Sequence, residues 1–452
     1  METSEQAQVF RQEGNAHRRD GRHTTAVERL ENAIALDPAN AAIWHDLALA
    51  YLAWNKPDAA LAGFQEALRL APQEPQLHFG LGTAFRKLGR PMDALQALQR
   101  AVQLFPEYGP AWMNLGGALA ALGESDLAHE ALGHAVELAP NDWEARWNLG
   151  LCELQRGDFR SGWSNFESRR QNPEFLPLPG KPWDGSPVDS LLVRFEQGLG
   201  DTLQFMRFLT LARERVGKLT FQVQHRLVPL LRGFLAAEEL ISDRDPAPDC
   251  EFSLPLMSLP HVLQAELKGD PYLTVDAARI ARWASGRPER TTVAIAWQGN
   301  PAYAADSVRS IPLMAFLPVL REPDTQFISL QRGFGVEQIA TLPPDVHLSE
   351  FGPDFDAEGA FLDSAAVLKN VDLLITSDTS LAHLAGALGV EVWLGLSRVP
   401  DWRWGRRGET SPWYSTLRMF RQRNHGDWNQ VLQDMASELM LRRFRRERQT
   451  LA

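Results

Sequence analysis

PQLHFGLGTAFRKLGRPMDALQALQRAVQLFPEY (75–108) runs directly into GPAWMNLGGALAALGESDLAHEALGHAVELAPND (109–142), and the two align without a gap at a period of 34 residues. The same step extends outward in both directions. Pro38, Pro72, Pro106 and Pro140 share one column. Ala26, Ala60, Ala94 and Ala128 share a second, and Ala33, Ala67, Ala101 and Ala135 a third. A large apolar column holds Leu30, Phe64, Leu98, Leu132 and Phe166, and a small one holds Gly14, Ala48, Gly82, Gly116 and Gly150. A fixed period of this length marks a stacked repeat. Paired antiparallel helices approach closely only where side chains are small, and the large column fills the holes between pairs. Gly21, Asn55, Gly89, Gly123 and Gly157 mark the turn inside each pair, where a left-handed backbone is expected. Proline closes the second helix of each pair.

The fifth repeat drifts. Gly162 replaces the alanine, and Arg169 stands where Ala135 stood, which predicts a terminal cap or a docking surface. The pattern resembles the tetratricopeptide repeat (TPR) family over residues 1–170, and the resemblance implies an α-solenoid with a concave groove for an extended peptide. The sixth position of the first helices reads Gln12, Asp46, Gly80, Asn114 and Asn148. That column resembles the asparagine ladder of eukaryotic protein O-GlcNAc transferases, which implies Asn114 and Asn148 as acceptor-peptide residues. Ordinary polar surface is the other reading.

Totals bound the rest. At 452 residues the chain has room for two or three domains. Its 44% apolar and 23% charged residues fit a soluble globular protein. A net charge of −11 argues against nucleic acid as a partner, since phosphate neutralisation needs a basic surface. The basic LRRFRRER (441–448) is the exception, read as a solvated helix end ahead of an anionic-membrane contact. Two cysteines, Cys152 and Cys250, make a disulfide framework unlikely and point to a cytoplasmic location. The polar start METSEQAQVF lacks a signal core, and no apolar run reaches the length of a transmembrane segment.

Residues 171–190, QNPEFLPLPGKPWDGSPVDS, are proline-rich and read as a connection with no regular helix or strand, packed down through Phe175 and Trp183. From Leu191 the texture becomes strand-helix. LLVRFEQ (191–197) and KLTFQVQ (218–224) read as strands of a first set, with one helix, TLQFMRFLTLARERVG, between them. TTVAIAW (291–297), QFISL (326–330), VDLLIT (371–376) and VEVWLGL (390–396) form a second set. Two Rossmann-like domains facing across a cleft are expected. Ligands in such sheets sit beyond the carboxyl ends of the strands, so three loops become candidates.

The first is Gln197-Gly198-Leu199-Gly200-Asp201-Thr202, either glycines approaching a ligand or an N-cap aspartate after a turn. The second is Trp297-Gln298-Gly299-Asn300-Pro301 with RSIP (309–312) downstream, where Arg309 can hold a phosphate or remain solvated. The third is Ser377-Asp378-Thr379-Ser380-Leu381-Ala382-His383, a helix start suited to phosphate or a merely capped helix with a partly buried histidine.

Together with SLQ-x-G (Ser329 to Gly333), DWRW (401–404) and SPWY (411–414), these motifs resemble bacterial TPR-linked glycosyltransferases related to the family 9 heptosyltransferases. The resemblance covers residues 163–430. It implies an α + α/β chain: the repeats (1–170), the connection (171–190), then a GT-B module with an acceptor-side Rossmann-like domain (191–285) and a nucleotide-sugar-binding one (286–430), and a C-terminal helix with a basic end (431–452). It implies transfer from a nucleotide-sugar co-substrate with no cofactor and no metal. Asp201 matches the family's proposed general base. Gly198, Gly200, Trp297, Gly299, Asn300, Arg309, Gln331, Asp378, Thr379, Ser380 and His383 match donor-binding positions, with His383 the alternative base. Ser380 departs from the glycine of many heptosyltransferases. The implied product is a sugar on an acceptor hydroxyl, inverted at the anomeric carbon. The expected acceptor is a protein, flagellin or another surface protein, held by the repeats. A glycan or lipid-linked acceptor and a non-catalytic TPR scaffold are the competing readings. The aspartate pairs Asp243/Asp245 and Asp354/Asp356 spell a DxD string expected by chance in a chain this long.

Overall fold

The computed structural model describes residues 2–284 and 290–450. Two compact units divide the chain at Phe175/Leu176. In the first, ten helices follow one another as five antiparallel pairs: α1 (Glu2–Arg19) with α2 (His23–Leu36), α3 (Ala41–Ala53) with α4 (Pro57–Leu70), α5 (Pro75–Lys87) with α6 (Pro91–Leu104), α7 (Gly109–Leu122) with α8 (Ser125–Leu138), and α9 (Trp143–Arg156) with α10 (Phe159–Phe166). The turn column behaves as its residues predict. Asn55 (φ 57°) and the four glycines Gly21, Gly89, Gly123 and Gly157 (φ 67–86°) all take the left-handed conformation.

The small and large columns turn out to be two halves of one device, sixteen residues apart. A Cβ added to Gly82 or Gly116 would lie 2.5 Å from Cγ of Leu98 or Leu132, so each large side chain fills the space its glycine leaves. At Gly150 the obstacle is backbone: the added Cβ would lie 2.6 Å from the nitrogen of Phe166. Helix propensity favours Ala over Gly by about 1 kcal/mol, whereas overpacking costs about 1–3 kcal/mol. We therefore expect Gly150→Ala to destabilise the repeats more than Gly116→Ala, because Leu132 can rotate and Phe166 N cannot. Urea melts followed by helical circular dichroism check the order; equal midpoints would contradict it.

The column's charged end is a cap. Arg169, in a short 3-10 turn (Glu167–Gln171), is buried, lies 4.3 Å over the Phe166 ring and pairs with Glu167 at 2.8 Å.

The second unit holds two parallel sheets of five strands each. The first contains β1 (Lys181–Pro182), β2 (Val188–Arg194), β3 (Val216–Val223), β4 (Leu240–Ser242) and β5 (Phe252–Pro255), in the order β1-β5-β2-β3-β4. The second contains β6 (Thr291–Ala296), β7 (Thr325–Ser329), β8 (Leu373–Ser377), β9 (Val392–Leu396) and β10 (Leu417–Arg421), in the order β10-β9-β8-β6-β7. From Leu176 on, the proline-rich connection is part of the sheet unit, and it holds β1 and the start of β2 where no strand was expected. Lys181–Pro182 pairs with Phe252–Ser253 as an edge strand, where a proline is tolerated, and Trp183 is buried as its sequence suggested. The expected helix after β2 is broken into Leu199–Phe205, a 3-10 turn and Leu209–Arg213. The expected division between the sheets at 285/286 lies outside the described residues.

A core of Val293, Ile295, Leu373, Ile375, Trp393 and Phe420 is closed by the C-terminal helix (Trp428–Thr450) through Val431, Leu432, Met435 and Leu439. Its basic end is ion-paired rather than simply solvated: Arg442 with Glu391, Arg443 with Glu322 and Arg446 with Asp372, at 2.9–3.2 Å. No helix among the described residues is long and apolar enough to cross a membrane.

Candidate functional site

Strand order changes direction between β2 and β5 in the first sheet and between β6 and β8 in the second. Such switch points open a crevice beyond the carboxyl ends of the strands. The Gly198 loop follows β2, the Trp297 loop follows β6, and the Asp378 loop follows β8. Helix Leu199–Phe205 of the first sheet packs on helix Ser380–Ala387 of the second. Gly200 makes this approach possible: an added Cβ would meet His383 Cδ2 at 3.1 Å and Ser380 Cα at 3.4 Å. At Gly200 the opposite helix comes close, whereas the sequence suggested a ligand there. Gly198 has an ordinary φ of −84°, and Gln197 supplies the left-handed turn instead (φ 63°).

Asp201 caps its own helix, accepting from Gly198 N at 2.8 Å, and its other oxygen meets Arg403. Arg403, only 9% exposed in its side chain, is the centre of the cluster. It donates through Nε to Gln204 Oε1 (2.7 Å) and through Nη1 to Asp401 Oδ1 (2.9 Å), and it stacks over Trp402. One guanidinium thereby ties Asp201 and Gln204 of the first sheet to Asp401 of the second. Arg403 and Asp401 stand in the DWRW string, yet neither was singled out from the sequence. An Arg between aspartates two residues and two hundred residues away shows only in three dimensions.

His383 is buried. Its Nδ1 lies 3.0 Å from the Tyr414 hydroxyl, and its ring stacks on Trp404. Nε2 makes no hydrogen bond among the described residues. Thr379 is the N-cap of its helix, and no side chain caps that end. Arg309 pairs with Asp306 at 3.2 Å and lies over the Tyr303 ring.

Several other expected donor positions turn inward. Trp297 is fully buried in the core, and its indole N–H donates to Gly335 O. Gln331 accepts from the Trp297 and Gln298 amides and donates to the Gln298 and Phe334 carbonyls at 2.7–3.0 Å, which exhausts its amide on pinning two loops together. Gly299 leaves room for the Arg309–Asp306 pair, which an added Cβ would strike at 2.5 Å. Asn300 is exposed, with Oδ1 accepting from Ala302 N in a turn. Asp243, Asp245 and Asp356 accept the backbone N–H groups of His225, Ser242 and Asp363.

In the repeats, much of the polar column of the first helices is engaged within the solenoid. Asn114 is buried and bonded to Arg86 and Thr83. Asp46 pairs with Arg11, and Phe64 occupies the space above Gly80. Asn148 is half-buried and makes no side-chain hydrogen bond among the described residues.

Electrostatics give the cluster a pH signature. Burial, then Asp401, pushes the Asp378 carboxyl up to about 6, against the Trp404 indole and the Arg309 and Arg403 guanidiniums. Burial, then Arg403, Arg207 and Arg309, holds His383 well below its ordinary range, leaving it neutral. From about pH 4 to 6 folded Asp378 keeps a proton that the unfolded chain has released, so its contribution to stability falls as pH rises through that window. His383 has the opposite sign: stability is lost as pH drops below about 6.5, where only the unfolded chain is protonated. Asp378→Asn removes the first effect, and acid loss of stability should become steeper than in wild type. Unfolding midpoints at pH 7, 6 and 5 measure this; parallel profiles would refute it.

Comparison with known proteins matches the two units differently. TPR and tetratricopeptide repeat models match residues 14–53, 41–74, 79–128 and 118–160. Protein FlbA of Caulobacter vibrioides is 28% identical over 320 residues, covering 63% of this chain and 53% of that protein. The chain thus spans about half the length of this curated relative. The covered share exceeds the whole repeat unit, so the likeness runs into the α/β unit. Similar solved structures include a MamA protein (23% identity, 39% of this chain and 99% of that one, TM-score 0.34). They also include YrrB, described as a TPR protein with an unusual peptide-binding site (24%, 36% and 86%, TM-score 0.31), and Pseudomonas aeruginosa PilF (18%, 48% and 88%, TM-score 0.38).

Proposed function

We propose that the protein is a metal-independent, inverting glycosyltransferase of GT-B type, acting on a protein recruited by its TPR array. The observation that carries this reading is the convergence of both switch-point loops on one charged cluster: Asp201 from the first sheet, and Arg309, Asp378, Thr379 and His383 from the second. In the reaction, the donor diphosphate lies at the uncapped start of helix Ser380–Ala387 with Arg309 beside it, where leaving-group charge is stabilised. Asp201 takes the proton of the acceptor hydroxyl, since a carboxylate offers about four acceptor sites and two are engaged. Arg403 fixes that carboxylate's direction. Trp297 and Gln331 hold the donor loop in shape without touching the donor.

A thermal-shift panel of nucleotide sugars tests the donor half of this reading. A true donor at a hundredfold excess over Kd stabilises by about 2.7 kcal/mol. No shift with any of them would favour a scaffold without activity. For the acceptor, intact-mass analysis of surface proteins from cells with and without this protein should show a sugar-sized mass difference, absent when residues 1–140 are deleted. Persistence of the modification without the repeats would end the recruitment idea.

A further inference from the structure

Tyr303 is 48% exposed although it sits on the loop after β6, three residues before the buried Asp306. Its backbone is fixed by hydrogen bonds to Asn300 and Asp306 at 2.9–3.0 Å. One ring face is covered by Arg309, whose guanidinium carbon lies 4.5 Å from the centroid and is itself held by Asp306. With Arg309 on that face, 48% of the residue still remains exposed. Burial, then Asp401, raises the pKa of its phenol against Arg309 and Arg403, so the ring lies within electrostatic reach of the cluster. A large aromatic ring backed by a cation on one face, about half exposed and carried on a hydrogen-bonded turn, suits a flat π-system.

We propose that the ring face of Tyr303 away from Arg309 is the stacking platform for the base of a nucleoside diphosphate. This rests on the donor reading above and deepens it. The diphosphate engages Arg309 from its free edge, and the base lies on the ring that Arg309 backs. Stacking is tolerant of base identity, so the platform contributes affinity and leaves selection among bases to neighbouring polar groups.

The test uses the full chain and isothermal titration with ADP, GDP, UDP, CDP, dTDP and inorganic pyrophosphate. Tyr303→Ala should weaken the nucleoside diphosphate that binds wild type by about 5–150-fold, given the usual worth of one base stack. Pyrophosphate binding should be unchanged, and Tyr303→Phe should retain both. Unchanged nucleotide affinity in Tyr303→Ala, or an equal loss for pyrophosphate, overturns the platform alone. So does a selective loss in Phe334→Ala, the 56% exposed aromatic on the loop after β7, with Tyr303→Ala unaffected. Wild type binding none of the nucleotides overturns the donor reading, and the platform with it.

Discussion

Arg403→Leu is expected to destabilise the α/β unit by about 3 kcal/mol, at the lower end of the cost of removing one partner from a buried ion pair. The substitution keeps bulk and deletes the charge that Asp201 and Asp401 share, while Gln204 Oε1 loses its donor in a fully buried position. Side-chain exposures of 19% and 25% let water reach the two stranded carboxylates in part, which is why the lower end applies. Lys at 403 keeps the charge but offers one nitrogen where the guanidinium serves three partners, and should recover only part of the loss. Hydrogen exchange of β8 (Leu373–Ser377) reports on this unit alone and avoids mixing in the repeats. Adding Asp401→Asn to Arg403→Leu should recover part of the loss, because the second change removes one of the two stranded charges. A double variant no more stable than the single would mean that Arg403 acts through packing on Trp402.

The repeats were legible because their determinants are local and periodic. Gly82 and Leu98, or Gly116 and Leu132, meet within one helix pair, and the columns display that fit directly. Strands β6, β7, β8 and β9 were legible for a related reason: both faces of a parallel sheet are covered, and the apolar runs are unbroken. Strands β1, β4, β5 and β10 were missed. β1 and β4 are only two and three residues long, and Arg418 and Arg421 interrupt β10. Within the site, the sequence located the glycine loops without showing what comes close to each glycine. Gly200 and Gly299 look like residues shaped for a ligand, whereas one admits a helix and the other an ion pair. A missing side chain shows that something comes close without showing what. Likewise Asn114 has the right chemistry to hold a peptide, and Arg86, in the preceding repeat, bonds it. Arg403 was hidden because two of its three partners, Asp201 and Gln204, come from the opposite sheet.

Asp201→Asn carries the largest functional expectation: transfer slowed by about 10²–10⁴-fold, the usual worth of a positioned general base, with nucleoside diphosphate affinity intact. Asn preserves shape and still accepts from Gly198 N, so the helix cap survives; its pairing with Arg403 weakens, and melting curves control for that. His383→Gln separates the two candidate bases. His383 is neutral and therefore able to accept a proton, but it is 5% exposed, clamped by Tyr414 and stacked on Trp404. An acceptor hydroxyl on a protein reaches Asp201 more readily than an imidazole walled in on two sides. His383→Gln should therefore lower transfer less than Asp201→Asn, while leaving the acid limb of the pH–rate profile in place. If Asp201→Asn stays within a few-fold of wild type and His383→Gln abolishes transfer together with that limb, the proton goes to Nε2 and Asp201 serves only to anchor Arg403 between the two sheets.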